Sequence, residues 1–467
     1  MSISSIFIAN RGEIAVRIIR AARELGLRTV QAVSAADGDM LAARLADAVA
    51  PVGPAHATKS YLNQEAVVRA AVESGCDAVH PGYGFLSENA DFAQKVEEAG
   101  LVFIGPRPDT IRQMGDKARA RREAQAAGVP TVPGTEGVVV ELDTARAEAA
   151  RIGYPVMIKA AAGGGGRGIR VARDEAELST QFPQASGEAR AAFGDGGLYL
   201  ERFIDRVRHI EVQVLGDGTR AVHLYERECS LQRRRQKVWE EAPAACLSPE
   251  QRAALCASAV RLAERVGYRG AGTLEYLFDE TTGEFFFIEM NTRIQVEHPV
   301  TEMVTGIDLV RAMIRIAMGE TLMYRQDDIV LSGHAIEARI CAEDPAADFR
   351  PSPGTVSTLA VPGGLGVRFD TLLYAGYTVP PFYDSLLGKL IAHDESRAAA
   401  IIRLDRALGE LTIEGLPTTA PLHRALAVDP AVKAGAVHTR WLETWLAGAP
   451  LAGPSTGPAS PIIATSA

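Results

Sequence analysis

The stretch Glu284–Thr301 reads EFFFIEMNTRIQVEHPVT. Its first half alternates in the manner of a β-strand, in which successive side chains point to opposite faces. Glu289, Asn291 and Arg293 are therefore expected on one face. The preceding segment Gly272–Phe278 reads GTLEYLF and predicts a partner strand, joined to the first through DETTGE.

The predicted hairpin brings two carboxylates together. A three-residue loop that ends in a left-handed glycine would pair Glu280 with Glu284. The same register puts Glu275 opposite Glu289, and like charges that face each other across a sheet are destabilising. A divalent cation would remove this conflict. Because Mg²⁺ prefers oxygen ligands, we predict that Glu275, Glu289 and Asn291 hold Mg²⁺ bound to ATP phosphates.

The residues after this hairpin add an anion-binding cation and a possible base. The segment continues from Glu289 through Arg293, Gln295, Glu297 and His298. Taken singly, each of these side chains is explained as well by a solvated edge hairpin with scattered charges. The whole set favours a catalytic centre, because it combines metal ligands, a cation and a carboxylate base in one short segment.

The composition is that of a soluble globular protein, with length for about two to four domains. Of 467 residues, 47% are hydrophobic and 23% are charged, and the net charge is −9. This acidic balance argues against a nucleic-acid binder, and no apolar run approaches the ~20 residues of a membrane span. The five cysteines form no C-x-x-C pair and no signal sequence is recognised, so a reduced, cytoplasmic protein is expected.

The first 114 residues alternate apolar runs with helical patterns. A helix is predicted over Glu13–Leu25, and strands are predicted at Ser5–Asn10, Thr29–Ser34, Asp77–Gly82 and Leu101–Gly105. This βαβ pattern predicts a parallel sheet covered on both faces. The first turn lacks G-x-G-x-x-G, so the pattern alone does not indicate a dinucleotide. The loop HPGYGFLSEN after a strand end is either a ligand loop or a turn that needs left-handed residues.

A glycine-rich hairpin and a basic loop follow. Tyr154–Ala172 predicts two strands around four glycines, whose N–H groups can approach phosphate oxygens. It is not a Walker A loop, since no G-K-[ST] opens a helix after it. In ECSLQRRRQKV most cations suit a solvated face, whereas Gln232 and Lys237 suit an anion site. Beyond Met318, short strands predict a mostly antiparallel unit, followed by a helix over Ser396–Glu410.

Together these motifs resemble the biotin carboxylases, the ATP-grasp component of biotin-dependent carboxylases. The resemblance spans residue 5 to about residue 446 and is most specific at FIEMNTRIQVEHPVTEM; the other matching motifs include IANRGEIAVRIIRAARELG, HPGYGFLSEN, MGDK, GHAIEARICAED and AGYTVPPFYDSLLGKLI. It implies a multidomain chain of α/β and α+β class. The implied parts are a Rossmann-like parallel sheet at 1–114, an ATP-grasp domain at 115–330 with a mobile lid near 131–204, a mostly antiparallel β domain with helices at 331–447, and a disordered tail at 448–467.

The resemblance also implies a reaction. ATP with Mg²⁺ or Mn²⁺ and bicarbonate give carboxyphosphate and ADP, and carbon dioxide then passes to N1 of biotin on a partner protein. No Met-Lys dipeptide marks a biotin-carrying domain, so the chain is expected to be a separate subunit that meets a biotinylated carrier and a carboxyltransferase. A homodimer is expected, in which Arg20 and Glu24 could pair across the interface. Acetyl-CoA is the default final acceptor, although propionyl-CoA, pyruvate or a urea-type amide would use the same half-reaction.

The resemblance assigns roles residue by residue. The ATP-binding residues would be Lys117, Lys159, Gly163, Gly164, Gly165, Gly166, Glu201, Arg202, Ile204, His209 and Gln232. The metal ligands would again be Glu275, Glu289 and Asn291. The bicarbonate pocket would comprise Lys237, Arg293, Gln295 and Val296. Glu297 would take the proton of bicarbonate, Arg339 would stabilise enolate-like biotin, and Tyr83 would lie where biotin packs. The catalytic residues would thus be Glu297, Arg339, Arg293 and Lys237.

The chain departs from this family at Arg235, where relatives commonly carry His or another uncharged residue. The extra cation could tighten anion binding, and the interpretation we prefer is that it points outward. Two other functions stay open, namely another ATP-grasp carbon–nitrogen ligase and a catalytically silent subunit that binds nucleotide or carrier. Arg339 and the RIQVEH motif argue against the first, and the retained chemical type of every matched position argues against the second.

Overall fold

The computed structural model describes residues 3–160, 170–193 and 196–448. Its N-terminal part contains β1 (Ser5–Ile8), α1 (Gly12–Glu24), β2 (Arg28–Ser34), α2 (Leu41–Leu45), β3 (Ala48–Gly53), a 3₁₀ turn (Ala57–Lys59), α3 (Gln64–Glu73), β4 (Ala78–His80), α4 (Ala90–Glu98), β5 (Val102–Phe103) and α5 (Pro108–Gly115). The strands form a parallel sheet in the order β3-β2-β1-β4-β5. Ile6 and Ile8 pack in one apolar core and Phe7 in another. The predicted parallel sheet with two covered faces is therefore confirmed.

The strand β3 was not predicted from the sequence. It contains Pro51, and it alternates half-buried or exposed residues with buried Ala50 and Val52. Proline lacks the N–H needed in a central strand and is tolerated at a sheet edge. Because β3 pairs with β2 and ends the strand order, its sequence gives a weaker apolar signal than the central strands do.

The next part builds a small antiparallel sheet with its own apolar core. Its elements are α6 (Lys117–Ala126), α7 (Leu142–Ile152), β6 (Val156–Ala160), β7 (Arg170–Ala172), α8 (Glu175–Phe193) and β8 (Leu198–Arg202). The predicted glycine-rich turn, Gly163 to Gly166, lies outside the described residues. The predicted tail also lies outside them, apart from its first residue, which ends the last helix.

The remaining part of the described chain, which is more than half of it, is dominated by antiparallel strands. The elements up to residue 330 are β9 (Val207–Asp217), β10 (Ala221–Arg233), β11 (Gln236–Ala242), α9 (Pro249–Arg265), β12 (Arg269–Asp279), β13 (Phe285–Asn291), α10 (His298–Thr305), α11 (Leu309–Ala317) and a 3₁₀ turn (Gln326–Asp328). Those after residue 330 are β14 (His334–Cys341), β15 (Glu343–Asp344), a 3₁₀ turn (Pro345–Ala347), β16 (Arg350–Pro351), β17 (Thr358–Ala360), β18 (Val367–Thr371), β19 (Leu386–Asp394), α12 (Arg397–Glu410), β20 (Thr412–Glu414), α13 (Ala420–Val428), α14 (Pro430–Lys433) and α15 (Trp441–Gly448).

One antiparallel sheet spans the domain limit expected at residue 330. Its strand order is β13-β12-β9-β10-β11-β14-β19-β18, and β11 pairs directly with β14. The central and C-terminal regions therefore share a continuous hydrogen-bonded framework. None of the helices in the described ranges combines the length and apolar character needed to cross a membrane.

Candidate active site

A cleft of about 790 Å³ collects most of the predicted site residues. Its walls come from the loops that follow β1 and β4, from strands β9 to β14, and from the segment before β19. The carboxyl ends of parallel strands are where α/β proteins commonly bind ligands. The predicted residues that line this cleft are Tyr83, His209, Gln232, Lys237, Glu275, Glu289, Asn291, Arg293, Gln295, Val296, Glu297 and Arg339.

The β12–β13 hairpin pairs Glu275 directly with Glu289, as predicted. Near the turn the predicted register is wrong, because Asp279 rather than Glu280 pairs with Glu284. Exposed Ile288 forms a β-bulge that shifts the register by one residue and brings the two acids opposite each other. A bulge places two residues of one strand against one residue of its partner. The one-residue shift at the turn and the one-residue shift at the bulge therefore cancel, and Glu275 still faces Glu289.

Lys237 lies where three carboxylates converge. Its Nζ donates hydrogen bonds to Glu211 Oε2 at 2.5 Å, to Glu275 Oε1 at 2.9 Å and to Glu297 Oε1 at 2.7 Å. Burial alone would lower the pKa of Lys237, but the surrounding carboxylates, above all Glu211 and Glu297, raise it well above its ordinary value. The ammonium group therefore keeps its charge and holds the three acids together.

Glu297 is shared between two cations. Lys237 Nζ donates to its Oε1, and Arg339 Nη2 donates to its Oε2 at 2.8 Å. Burial alone would raise the pKa of Glu297, but Lys237 and Arg339 bring it below its ordinary value. Glu297 is thus ionised at neutral pH, although it is buried, and an ionised carboxylate is able to accept a proton.

Arg293 connects the hairpin to the N-terminal part of the chain. Its Nη2 donates to Asn291 Oδ1 at 2.9 Å, and its Nε donates to Glu88 Oε2 at 2.8 Å. Glu88 belongs to the HPGYGFLSEN loop, for which a ligand loop and a simple turn were both left open. This ion pair orients the guanidinium of Arg293 at the cleft wall, so the loop contributes to the site through Glu88.

The candidate metal ligands fit a hard divalent cation. Asn291 Nδ2 lies 2.9 Å from Glu275 Oε1, and exposed Lys117 approaches Glu289 at 3.3 Å. Burial alone would raise the pKa of Glu275, but Lys237 and His209 lower it well below its ordinary value. Two opposed acids, one of them held ionised, and an adjacent amide supply the oxygen chemistry that Mg²⁺ or Mn²⁺ prefers.

His209 adds a titratable group beside this pair of acids. Burial alone would lower the pKa of His209, but Glu275, whose Oε2 lies 3.3 Å from Nε2, raises it to about 9. The imidazole is thus positively charged at neutral pH and faces the cleft. A cation at this position suits an anionic ligand such as a phosphate.

The other predicted nucleotide residues lie beyond the cleft lining, on α6 and the small sheet. Lys159 forms an ion pair with Glu201 on the neighbouring strand β8. Arg202 contacts Glu284 at 3.2 Å, and half-buried Ile204 follows it. The structure thus pairs Lys159 with Glu201 and links Arg202 to the β12–β13 hairpin, whereas the glycine turn between β6 and β7 is outside the described residues.

Arg235 differs from its sequence-based interpretation. Arg234 and Arg235 form the two-residue turn between β10 and β11, with φ of +50° and +66°. Arg233 and Arg234 both bind Asp348. Arg235 lines the cleft, as Arg233 does, and it has no hydrogen-bond or ion-pair partner within the described part of the chain. The expectation that it points away from the site is therefore wrong, and of the three arginines only Arg234 is absent from the cleft lining.

Three buried charged residues of the site were missed in the sequence. Glu211 binds Lys237, Arg227 donates to Gln295 Oε1 at 2.8 Å, and Glu240 accepts from Arg339 Nε at 2.5 Å. The available signal was the alternation of His209, Glu211 and Gln213 along a strand, which gives polar side chains a common buried face. Such alternation is typical of a solvated sheet face too, so it does not by itself indicate a site.

Models of known protein families match most of the chain. The model described as "Biotin carboxylase, N-terminal domain" matches residues 2–111, and "Carbamoyl-phosphate synthase L chain, ATP binding domain" matches residues 116–325. "Biotin carboxylase C-terminal domain" matches residues 337–444.

Similar proteins align with nearly the whole chain. Biotin carboxylase of Pseudomonas aeruginosa is 52% identical over 443 residues, which cover 94% of this chain and 98% of that protein. The chloroplastic biotin carboxylase of Arabidopsis thaliana is 52% identical over 438 residues, which cover 94% and 81%. The biotin carboxylase domain of a thermophilic 2-oxoglutarate carboxylase bound to bicarbonate has a TM-score of 0.90 at 46% identity, covering 95% of this chain and 98% of that one. The biotin carboxylase subunit of pyruvate carboxylase has a TM-score of 0.87 at 48% identity, with the same coverage.

Proposed function

The chain belongs to the biotin carboxylase family of ATP-dependent ligases, and from this premise we propose that it carboxylates biotin on a separate carrier protein as the first half-reaction of an acetyl-CoA carboxylase. The observation that carries this proposal is Glu297, ionised and shared between Lys237 and Arg339 at the wall of the cleft. One cation faces the proposed bicarbonate pocket and the other the proposed biotin position. The base therefore lies between the two substrates that the reaction must bring together.

The bicarbonate step relies on electrostatic stabilisation more than on covalent catalysis by the protein. In our proposal Lys237, Arg293, Gln295 and the Val296 segment bind bicarbonate, and Glu297 takes its proton. Bicarbonate then attacks the terminal phosphoryl group of ATP, a reaction that needs positive charge around the transferred group. The ion pairs described above hold Lys237 and Arg293 in fixed positions, so little reorganisation is needed when charge develops.

Arg339 and Tyr83 serve the biotin step in this proposal. The ureido nitrogen of biotin is a poor nucleophile until its proton is removed, and negative charge then develops on the ureido oxygen. Arg339 is the guanidinium that would stabilise this charge, and Glu240 fixes it through Nε. Tyr83, half-buried at the cleft wall, would pack against the biotin rings.

The nucleotide would be held by His209 in the cleft lining and by groups beyond it, on α6 and around the small sheet. We assign the phosphates to Lys117, Lys159, His209 and the glycine turn, and the adenine to Glu201, Arg202 and Ile204. Glu275, Glu289 and Asn291 would hold Mg²⁺ or Mn²⁺, which supplies Lewis-acid neutralisation of phosphate charge when bound. The structure of a related domain from Hydrogenobacter thermophilus, with a TM-score of 0.84 and 47% identity, contains MgADP and bicarbonate.

The partners follow from the same proposal. We propose a cytoplasmic subunit, with domain limits 1–114, 115–330 and 331–447, that meets a biotinylated carrier and a carboxyltransferase. The related Hydrogenobacter domain forms a dimer, which supports a homodimer here. Glu24, expected to pair with Arg20 of a second copy, contacts Arg311 of its own chain at 3.4 Å, whereas Arg20 is exposed. We therefore retain Arg20 alone as a proposed dimer contact.

Labelled bicarbonate tests the proposal in two stages. The chain is incubated with MgATP, ¹⁴C-bicarbonate and a purified biotinylated carrier, and label on the carrier is expected. A carboxyltransferase is then added with acetyl-CoA, propionyl-CoA, pyruvate or 2-oxoglutarate. Label on acetyl-CoA supports the proposed acceptor, and label that reaches only another acceptor overturns it. An unlabelled carrier would overturn the proposed half-reaction itself.

A further inference from the structure

A buried lysine lies directly behind the proposed base. Lys389 of β19 is 0% exposed, and its Nζ donates to the carbonyl oxygen of Val296 at 2.8 Å. Val296 lines the cleft and precedes Glu297 in the chain. A charged donor on a carbonyl makes one of the stronger hydrogen bonds in a protein interior. The ammonium of Lys389 therefore fixes the peptide group that carries Glu297.

The same ammonium is connected to the opposite wall of the cleft. Lys389 Nζ lies 3.1 Å from Glu13 Oε1, and the hydroxyl of Tyr83 donates to that same oxygen. Glu13 is fully buried, and its Oε2 has no hydrogen-bond partner among the described residues. One carboxylate oxygen thus joins a lysine of the C-terminal region to a tyrosine of the N-terminal loop.

An ion pair that only stabilised the sheet would not need contacts from Lys389 to other regions of the chain. Lys389 already lies opposite Asp370 on β18, in the same sheet. Its Nζ nevertheless reaches Val296 and Glu13, which belong to two other regions of the chain. The contacts join the β4 loop, the segment after β13 and β19, and these are the three elements that meet at the cleft.

We propose that Lys389 is a positioning residue, which fixes the Val296 carbonyl behind the base and, through Glu13, the hydroxyl of Tyr83. This inference rests on the proposed function, since it assigns the two ends of the network to the bicarbonate and biotin positions. In this arrangement Lys389 contacts neither substrate. Its loss displaces the bicarbonate pocket and the biotin platform together and leaves the nucleotide residues in place.

A charge-balanced double variant tests the proposal. Removing one member of a buried ion pair leaves an uncompensated charge, whereas neutralising both is far better tolerated. Lys389→Met combined with Glu13→Gln is therefore the main variant. The control is Arg252→Met with Glu226→Gln, which neutralises another pair with a fully buried carboxylate, 2.7 Å apart and away from the cleft lining.

The readouts are the KM values for bicarbonate, free biotin and ATP, with Tm measured alongside. We expect the Lys389→Met/Glu13→Gln variant to raise the KM for bicarbonate and for biotin by about tenfold each, a change typical of losing a hydrogen bond to a charged donor. The KM for ATP stays within about twofold, and the control changes none of the three. Unchanged bicarbonate and biotin KM values, or an equal rise in all three, overturn the proposal.

Tyr83→Phe tests the link to the Tyr83 hydroxyl even if the buried double variant does not fold. This change removes one hydroxyl at the cleft wall and is expected to raise the KM for biotin alone. In a folded Lys389→Met/Glu13→Gln background it should have a smaller effect than in wild type, because the hydroxyl then faces a neutral amide in place of a carboxylate. An unchanged KM for biotin in Tyr83→Phe, or full additivity, overturns the link to Tyr83. The wild-type chain is assayed in parallel, and its failure to show bicarbonate-dependent hydrolysis would count against the proposed function.

Discussion

At the scale of single residues, Glu297 holds its charge between Lys237 and Arg339. We expect Glu297→Gln to keep ATP binding within about twofold of wild type and to lower bicarbonate-dependent turnover by at least about 100-fold, a loss typical of a general base. Binding is measured by calorimetry and turnover by release of ADP. Glu320→Gln, at an exposed position in the turn after α11, is the control. Turnover that survives Glu297→Gln would exclude this residue as the base.

For Glu337 we predict an effect on stability rather than on catalysis. It lies directly opposite Glu240 across β14 and β11, and both of its oxygens lack a hydrogen-bond partner in the described structure. Burial raises the pKa of Glu337 well above its ordinary value, and burial likewise raises the pKa of Glu240 to about 7. Glu337 therefore keeps its proton to higher pH in the folded protein than in the unfolded chain.

The sign of the pH dependence follows from proton binding. Below pH ~4.5 both the folded and the unfolded states hold the Glu337 proton. As pH rises, the unfolded state loses it first, so the free energy of unfolding falls by about 1.4 kcal/mol per pH unit for this group until the folded state loses the proton too. Glu337→Gln removes this pH dependence. The free energy of unfolding of the variant, relative to that of wild type, should therefore be higher at pH 8.5 than at pH 5.5. Urea unfolding at both pH values measures this, and parallel pH profiles would contradict it.

Arg235 and Arg234 form a matched pair for testing the turn between β10 and β11. Arg235 faces the cleft without a partner among the described residues, while Arg234 binds Asp348 at 3.0 Å. A free cation at a cleft attracts anions by up to about 1 kcal/mol at an exposed position, or about fivefold. We expect Arg235→Ala to raise the KM for ATP by that factor at low salt and Arg234→Ala to leave it unchanged. Equal effects of the two variants would count against the prediction.

The residues that sequence reasoning missed share a physical cause. Glu211, Arg227 and Glu240 lie on central strands, where a charged side chain has no local motif to mark it. Each is explained by a partner far along the chain, such as Gln295, which is 68 residues from Arg227. The predicted residues lie in short segments such as FIEMNTRIQVEHPVT, where neighbours in sequence are also neighbours in the site. Arg235 was misinterpreted because the direction of its side chain depends on the turn backbone, where Arg234 and Arg235 both have positive φ.

At the scale of elements, the β12–β13 hairpin carries the proposed metal ligands. Glu289 is half-buried and opposes Glu275, so neutralising it removes a ligand and relieves repulsion between like charges. We expect Glu289→Gln to raise the Mg²⁺ concentration for half-maximal activity by about tenfold with no loss of Tm. Glu284→Gln, on the same hairpin and bound to Arg202, is the control. A metal requirement unchanged in Glu289→Gln would contradict the assignment.

The same hairpin shows how far alternation can predict an element. The period of two identified both strands and the facing acids, because the faces of a strand are fixed by backbone geometry. It could not identify the bulge at Ile288, since one extra residue leaves the local hydrophobicity almost unchanged. The loop is longer than predicted, and Glu280 is drawn to Arg208, which it binds through Nε at 2.6 Å. A tertiary ion pair thus overrides the local turn preference.

At the scale of the whole molecule, the sequence predicted the parallel sheet, the antiparallel C-terminal strands and the separation into regions. It did not predict that β11 and β14 would join two regions in one sheet. Strand pairing between distant segments leaves no periodic signal in either of them. This shared sheet has a functional consequence, because it holds Lys237 on β11 and Arg339 on β14 at fixed positions on either side of Glu297.

In the proposed function, one cleft couples ATP cleavage to bicarbonate and biotin. The most direct test is the rate of ATP hydrolysis by the purified chain with Mg²⁺, measured with and without bicarbonate and with and without free biotin. We expect hydrolysis that requires bicarbonate and increases when biotin is added. Hydrolysis that is indifferent to both would contradict the proposed function and would indicate another ATP-grasp ligase, while ATP binding without hydrolysis would indicate a silent subunit.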